Sequence, residues 1–421
     1  MENVFAEVIT IGDEILYGQT LDTNTQWIGT KLNEIGVRIR RKVSVPDLKE
    51  EILKALDEAA GRADIILITG GLGPTKDDIT KKTLAEYFDT PLVRNAEALA
   101  HITALFASRG RQITPTNETQ ADLPQSCTMI TNTMGTAPGM WFEQRGKIFV
   151  SMPGIPYEMK AMMKKSILPM LKKLFVLPVI HHQMIQTVGI GESWLSDRIA
   201  AWEDALPVHI RLAYLPSFGN VKLRLTATGE NLDYLKKEVD AEVNKLLPLI
   251  DKYFFGLGDI SLEAAIGQLL LEKKKTVALA ESCTGGFVAH ALTAIPGSSA
   301  YFRGGIIPYH NDLKENVLLV NKNTLVEHGA VSEQTVKEMA LNVRKLMKAD
   351  YGLASSGVAG PGGGTLEKPV GTVWIAVSDG EMTHTRKLSL TQDRMLNIRL
   401  TNVGLLNLLR LTLTNKLDMQ D

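Results

Sequence analysis

Residues 276–286 read Thr-Val-Ala-Leu-Ala-Glu-Ser-Cys-Thr-Gly-Gly, an apolar run that passes directly into a polar loop ending in two glycines. The run predicts a buried strand over 276–280, followed by a helix from Thr284 onward. Glycines let the backbone approach a ligand, and a helix start offers free N–H groups and a positive dipole end. The loop therefore predicts a phosphate or carboxylate site, with Ser282 and Thr284 as added hydroxyl donors. A tight connection without a ligand is an equally good interpretation.

A second glycine-rich turn, residues 355–364, lies between predicted strands over 351–355 and 370–378. Two such turns after strands predict opposite walls of one cleft, because ligands of α/β sheets bind at the carboxyl ends of the strands. The apolar spacing of 391–414 predicts a packing helix rather than a membrane-surface helix. We therefore predict one α/β domain over residues 258–421.

Between the two turns, Tyr309 and Lys314 stand five residues apart around a predicted helix start. A serine nucleophile needs a base, and a desolvated lysine or a tyrosine can serve where no His–Asp pair exists. No histidine of this region has a triad-like neighbourhood, which argues against Ser-His-Asp chemistry. By residue type alone, however, Lys314 is expected to be a solvated helix residue.

Seven strings occur in a fixed order in this domain: AESCTGG, GSSAYF, YHNDLK, HGAVSE, SSGVAGPGGG, EKPVGTVWIAV and QDR. Together they resemble the CinA C-terminal family of nicotinamide-nucleotide amidohydrolases. The resemblance implies hydrolysis of the carboxamide of nicotinamide mononucleotide to nicotinate mononucleotide and ammonia, with no cofactor or metal. It implies Ser299 as nucleophile with Tyr309 and Ser356 as catalytic partners, where the family often has threonine in place of Ser356. The substrate-binding positions it implies, together with those the turns suggest, are Ser282, Thr284, Lys314, Gly357 and Arg394.

The identity of the nucleophile has three candidates, which we rank Ser299, Ser282 and Cys283. Ser282 lies at a strand–turn–helix corner, a geometry that suits attack on a carbonyl. Cys283 is intrinsically more nucleophilic, but only the nearby helix start would lower its pKa.

Residues 4–175 alternate strand and helix patterns in the order βαβαβα, which predicts a doubly wound parallel sheet. The pattern includes a buried strand over 5–11, a helix capped by Asp22 or Thr23, and a helix opened by a capping box at 47–50. An apolar strand over 64–69 follows, and a further helix is predicted to start near Asp77.

The string Thr-Gly-Gly-Leu-Gly-Pro-Thr-Lys-Asp-Asp, residues 69–78, is the most informative one in this half. Its glycines and helix start suit a diphosphate, but its two carboxylates would repel one unless a hard cation stood between them. Residues 12–16, 22–24 and 152–158 are expected at the same sheet edge. Each acid taken singly is more simply a helix cap, and only their convergence favours a site.

This set resembles the molybdopterin-binding (MoaB/MogA-like) fold in its CinA N-terminal branch. The resemblance implies a metal-dependent ADP-ribose pyrophosphatase that uses a divalent ion, with a monovalent cation as an optional addition. It implies Asp78 as the catalytic carboxylate and Asn24, Gly71 and Thr75 around the substrate. The implied metal ligands are Asp22, Asp77, Asp78 and Glu158. A catalytically silent domain that binds a nucleotide or a pterin is the alternative.

The middle of the chain has the order strand, helix, strand, strand, helix, strand, which predicts a ferredoxin-like βαββαβ domain. It has no glycine-rich loop and no carboxylate cluster, so a spacer or dimerisation module is favoured. The predicted domains are therefore 1–175, 176–257 and 258–421.

Composition limits the remaining functions. With 46 Lys and Arg against 47 Asp and Glu, the net charge is −1, which gives no electrostatic basis for binding nucleic acid or an anionic membrane. The balanced charge also weighs against an alternative role as an adaptor in DNA uptake or recombination. Two cysteines, no signal-peptide pattern and no membrane span predict a cytoplasmic protein. We expect small nucleotides as ligands and a homodimer as the assembly.

Overall fold

The protein has two units in its computed structural model, which describes residues 4–75 and 77–417. The first unit comprises the chain up to His181 with Thr228–Leu235, and the second comprises His182–Ala227 with the chain from Lys236 onward. Within the described ranges, no helix combines the length and the apolar character that crossing a membrane requires.

The first unit alternates strands and helices, as its sequence predicts. Its elements are β1 Phe5–Ile11, α1 Asp13–Leu16, α2 Thr23–Glu34, β2 Arg38–Val45, α3 Lys49–Ala60, β3 Ile65–Thr69, α4 Thr80–Tyr87, β4 Leu92–Arg94, α5 Ala96–Ser108, α6 Pro115–Glu118, β5 Asp122–Pro124, β6 Thr128–Ile130, β7 Gly139–Gln144, β8 Lys147–Met152, α7 Pro156–Met162 and α8 Leu168–Leu174. A 3-10 turn, Thr119–Ala121, precedes β5, and a π-helical turn, Met163–Ile167, joins α7 to α8.

The main sheet of this unit has the order β2-β1-β3-β8-β7-β6. Strands β1, β2, β3 and β8 are parallel, and apolar clusters pack on both faces of the sheet. The predicted doubly wound parallel sheet is confirmed for these four strands, and the structure adds an antiparallel edge, where β7 is antiparallel to β8. The turn between them is only Arg145-Gly146, both with positive φ, and a parallel crossover needs a dozen residues or more.

One predicted helix cap and one predicted helix start in this unit are wrong, although α3 lies within its predicted range. Helix α3 begins at Lys49 without a side-chain cap, because Asp47 instead accepts a hydrogen bond from the Asp13 amide at 3.2 Å. Helix α4 begins at Thr80 rather than near Asp77, because the residues before it form a loop. The predicted cap at Asp22 is confirmed, since its carboxylate accepts from the Thr25 amide at 2.8 Å.

The middle of the chain has the predicted βαββαβ order. Its elements are β9 Val179–Val188, α9 Glu192–Asp204, β10 Ile210–Ser217, β11 Asn220–Gly229, α10 Leu232–Ile250 and β12 Phe254–Leu257. The sheet order β10-β11-β9-β12 has antiparallel β10–β11 and β9–β12 pairs, which is the ferredoxin-like arrangement.

The remaining elements form a second α/β sheet with its flanking helices. They are α11 Leu262–Glu272, β13 Val277–Glu281, α12 Phe287–Thr293, a 3-10 turn Ser298–Ala300, β14 Phe302–Ile306, α13 Asn311–Asn316, α14 Lys322–His328, α15 Glu333–Leu346, β15 Tyr351–Gly357, β16 Thr372–Ser378, β17 Thr383–Ser389 and α16 Arg394–Thr414.

This layer is a five-stranded sheet of order β14-β13-β15-β16-β17, with apolar clusters on both faces. Strands β14, β13 and β15 are parallel, and β16 and β17 are antiparallel to their neighbours. Helix α16 packs on the sheet through leucines such as Leu405 and Leu409, which are fully buried. The prediction of a packing helix is confirmed. Strand β17 is not predicted, because its sequence Thr-His-Thr-Arg-Lys-Leu-Ser is mostly polar.

Candidate functional site

A cleft of about 540 Å³ opens at the carboxyl ends of β1, β3 and β8 in the first unit. Loops that follow parallel strands meet at this edge, which is why it collects residues from distant parts of the sequence. The structure brings most of the predicted N-terminal set to its lining, namely Asp22, Asn24, Gly71, Asp77, Asp78 and Glu158. Thr75 is hydrogen-bonded to Asp78 beside the cleft.

The loop after β3 is folded around the carboxylate of Asp78. One oxygen of Asp78 accepts from the Gly73 amide at 2.8 Å, and the other accepts from the Thr75 amide at 2.9 Å and from the Thr75 hydroxyl. A hydrogen bond with Thr75 also lowers the pKa of Asp77. Asp78 therefore orders the loop beside the cleft.

Asp47 and Glu14 add two further acids to the lining. Burial raises the pKa of Asp47, and the nearby charges of Asp13, Glu14 and Asp77 act in the same direction. The sequence pattern places Asp47 in a capping box, so the site function of this residue is missed. Within the described part of the chain, no lysine or arginine lines the cleft. The charged side chains among the described lining residues are therefore all acidic.

Two buried amide side chains present unused acceptors at this cleft. Asn24 donates to the Gly154 carbonyl at 2.6 Å, but its Oδ1 has no hydrogen-bond partner among the described residues. The Oε1 of Gln120 is likewise without a partner among them. Buried acceptors without partners are costly, so both atoms suit an N–H or O–H donor of a ligand. Gln120 is not identified by any sequence pattern, because it lies in an isolated 3-10 turn.

The acids of the cleft are of the ligand type that a hard cation prefers, but they are not grouped around a single point. Carboxylates are the preferred ligands of Mg²⁺ and Ca²⁺. Yet no three His, Cys, Asp or Glu side chains of the described chain are grouped as a metal site. Asp22 caps α2, Asp78 orders its loop, and Glu158 accepts from the Asn132 amide group at 2.6 Å. A cation held here would draw further ligands from the substrate or from water.

A second candidate site lies in the C-terminal layer, at the carboxyl ends of β13, β14 and β15. The Ser282 amide donates to the Ser355 carbonyl at 3.0 Å, and the hydroxyls of Thr284 and Ser355 are 2.8 Å apart. These contacts place the two predicted glycine-rich turns side by side. Ser282, Thr284 and Ser356 are all buried at this edge.

The predicted role of the α12 start as an anion site needs correction. The buried carboxylate of Glu281 accepts from the amides of Gly286 at 3.0 Å, Val288 at 3.0 Å and Ala289 at 2.7 Å. These N–H groups are therefore taken by the protein's own carboxylate. The loop is held rigid by Glu281 and offers a ligand its serine and threonine hydroxyls instead.

We expect Glu281→Ala to destabilise the protein by on the order of 3 kcal/mol, because three N–H groups at the start of α12 lose their carboxylate acceptor. Thermal unfolding of the full chain, followed by circular dichroism, measures this change. The matched control is Glu272→Ala, at an exposed position on α11. A similar transition temperature for both variants would contradict the anchoring role.

Lys314 is buried, with only 1% of its surface exposed, so the expectation of a solvated lysine is wrong. Its Nζ donates to the carbonyls of Pro308 at 2.8 Å and Tyr309 at 3.4 Å. Burial lowers the pKa of Lys314. Helix α13 is short and packs this residue inward, which residue type alone does not predict.

Cys283 lies near Lys314 but is poorly suited to attack. Burial raises the pKa of its thiol to about 12, although the charge of Lys314 acts against that shift. The thiolate is the reactive form of cysteine, so this raised pKa disfavours Cys283 as the nucleophile. This supports its place behind the two serines.

Arg394 connects the second glycine-rich turn to Tyr309. Its guanidinium donates to the Gly360 carbonyl at 2.7 Å and to the Tyr309 hydroxyl at 2.8 Å. The Ser356 hydroxyl donates to the Ala330 carbonyl at 2.6 Å. Apart from Ser299, the structure therefore collects the predicted C-terminal residues at one edge of the sheet, with Gly357 at the end of β15.

Within a single chain, Ser299 lies away from this edge of the sheet. It belongs to the exposed 3-10 turn before β14, and the carbonyl of the nearby Tyr301 accepts from the Val277 amide, at the start of β13. The start of a strand and its carboxyl end lie at opposite edges of the sheet. Within a single chain, Ser299 therefore does not lie beside Ser282 and Ser356.

Three family models match the chain. The CinA C-terminal domain matches residues 259–413, and the damage-inducible protein CinA KH domain matches residues 182–256. The "Probable molybdopterin binding domain" matches residues 7–173.

Relatives match over nearly the whole length. A CinA-like protein of Cytophaga hutchinsonii is 51% identical over 97% of this chain and 98% of its own. A CinA-like protein of Amoebophilus asiaticus is 42% identical over 97% of this chain and 99% of its own. A crystal structure of the protein CinA with unknown function from Thermoplasma acidophilum is 37% identical. It covers 41% of this chain and 99% of that chain, with a TM-score of 0.37.

Proposed function

Since the chain belongs to the CinA family, with a MoaB/MogA-like first domain, a KH-like middle domain and a CinA C-terminal domain, we propose that it is a bifunctional enzyme of pyridine-nucleotide recycling. In this proposal the C-terminal domain, 258–421, deamidates nicotinamide mononucleotide. The N-terminal domain, 1–175, hydrolyses ADP-ribose. The enzyme is proposed to act in the cytoplasm as a homodimer.

The observation that carries the deamidase is the buried amine of Lys314 in the domain that also buries Ser282 and Ser356. Its contacts are backbone carbonyls, and no carboxylate of the described chain pairs with it. A desolvated amine loses its proton more readily than a solvated one, which suits it to act as a general base. Ser282, Ser356 and Tyr309 supply the hydroxyl groups that orient a polar substrate around it.

The proposed reaction is an acyl transfer in two steps. A serine hydroxyl, Ser299 by preference and Ser282 as second candidate, attacks the carboxamide carbon while Lys314 accepts its proton. Lys314 returns that proton to the leaving nitrogen, and ammonia departs as the C–N bond breaks. Water then hydrolyses the acyl ester, which frees nicotinate mononucleotide and the serine. Arg394 is placed to bind the substrate phosphate, because guanidinium matches phosphate geometry.

We expect purified protein to release ammonia from nicotinamide mononucleotide at the same rate with and without EDTA. The chain supplies a base and hydroxyl nucleophiles for this reaction, so no metal is needed. A coupled glutamate-dehydrogenase assay measures the ammonia. The absence of ammonia under both conditions would refute the deamidase, and its loss in EDTA alone would refute the metal-free mechanism.

The proposed N-terminal activity, a metal-dependent ADP-ribose pyrophosphatase, is supported by the acidic cleft. Asp22, Asp77, Asp78 and Glu158 would hold the divalent cation, which would neutralise the diphosphate and activate a water. Asn24, Gly71 and Thr75 surround the substrate in this proposal. A monovalent cation would add to the neutralisation of the diphosphate charge.

A silent binding domain is the second candidate for the N-terminal cleft. The unused acceptors of Asn24 and Gln120 would suit the amino group of a purine or a pterin without any catalysis. The lack of a grouped metal site in the described chain favours the same alternative. ADP-ribose turnover with added divalent metal would separate the two, because a silent domain yields no AMP.

A further inference from the structure

The placement of Ser299 leaves the C-terminal site incomplete within one chain. Val277, the first residue of β13, pairs with Phe302, the first residue of β14. Ser299 therefore lies at the amino-terminal edge of the sheet. At roughly 3.3 Å per residue, the five-residue strand β14 separates that edge from the carboxyl edge by about 15 Å. A serine at that distance cannot attack a substrate held by Ser282, Ser356 and Lys314.

Strand β14 is an edge strand of the five-stranded sheet. Two of its five residues are glycine, and Arg303 and Gly305 are exposed. Exposed apolar side chains also occur in the segment that follows the strand: Ile307, Tyr309, Leu313, Val317 and Leu319. An exposed edge strand beside an apolar patch is a template for pairing with another chain.

A second copy of this chain is the partner that completes the site. A two-fold axis pairs a surface with itself, so two β14 strands would meet antiparallel. Strand β14 runs from Phe302 to Ile306, so a symmetric pairing centres on Gly304. In that register Ser299 comes level with Tyr309 of the partner subunit, and Tyr309 marks the carboxyl edge where Lys314 lies.

We propose that each deamidase site is shared between two copies of the chain, joined along β14. One copy supplies Ser282, Tyr309, Lys314, Ser356 and Arg394, and the other supplies the nucleophile Ser299. The inference rests on the proposed deamidase and deepens it. The chemistry is unchanged, except that Lys314 takes the proton from Ser299 of the partner subunit.

Complementation between inactive variants tests this arrangement. Ser299→Ala and Lys314→Met, carrying different tags, are co-expressed, and the heterodimer is isolated by tandem affinity purification. In the heterodimer one site combines both defects and the other combines two intact halves, so about half of the wild-type ammonia release is expected. Each variant alone is expected to be inactive. Ser299→Ala with Ser356→Ala is a second pair with the same expectation.

The matched control is the heterodimer of Lys314→Met with Ser356→Ala. Both residues belong to the same half of the site, so each of its two sites keeps one defect and no activity returns. Activity in that control would overturn the proposal, as would an inactive Ser299→Ala/Lys314→Met heterodimer or an active Ser299→Ala homodimer. Failure of the deamidase itself is distinguishable, because wild-type protein would then release no ammonia.

Discussion

Replacing Asp78 with alanine is expected to reduce ADP-ribose cleavage by at least about a hundredfold, while deamidation stays at the wild-type rate. The substitution removes a cation ligand and also the acceptor of the Gly73 and Thr75 amides. The loop after β3 would then lose its order beside the cleft. AMP release from ADP-ribose with added Mg²⁺ or Mn²⁺, measured beside ammonia release, gives both activities in one preparation.

Asp78→Asn separates the charge of this side chain from its shape. The amide keeps one oxygen for the loop but cannot neutralise a cation, so we expect cleavage to stay low while the loop stays ordered. Increasing the metal concentration should partly restore it. Equal loss of both activities in Asp78→Ala would argue against separate sites, and full cleavage would remove Asp78 from the proposed machinery.

Lys314→Met is expected to reduce deamidation by about a thousandfold, the usual contribution of a general base. Wild-type kcat/KM should rise with pH through the pKa of Lys314, which burial lowers from its ordinary 10.5, and this limb should vanish in the variant. Ammonia release from pH 6 to pH 10 measures both effects. Lys322→Met, at an exposed position on α14, is the matched control.

The same substitution should raise thermal stability at neutral pH. The folded state binds the Lys314 proton more weakly than the unfolded state, so wild-type stability rises with pH between the lowered pKa and 10.5. Methionine removes the buried charge, and its advantage should shrink across that window. Undiminished deamidation by Lys314→Met would refute the base, and a lower melting temperature at neutral pH would contradict the desolvation argument.

Local patterns account for the parts of the structure that the sequence predicts well. Periodicity within single elements predicts the strand before Ser282 and the helix over 391–414. The same signal, read element by element, predicts the βαββαβ order of the middle of the chain. The cap at Asp22 is likewise local, since its acceptor lies three residues from its donor. Such features need no knowledge of distant neighbours.

Long-range contacts explain what the sequence predicts poorly. Asp47 leaves its predicted capping box for an amide 34 residues away, and Gln120 joins a cleft built from β1, β3 and β8. Glu281 occupies the amides that the glycine loop was expected to offer a ligand. In each case a partner from elsewhere in the fold outweighs the local preference.

The sequence by itself therefore determined the order of strands and helices and the position of the glycine loop at 280–286. Only the tertiary structure decided which groups are desolvated and which share an edge. It buried Lys314, and it left Ser299 at the opposite end of β14. The physical reason is that burial and strand register depend on packing between distant segments, whereas periodicity and turn chemistry are set by neighbours in the chain.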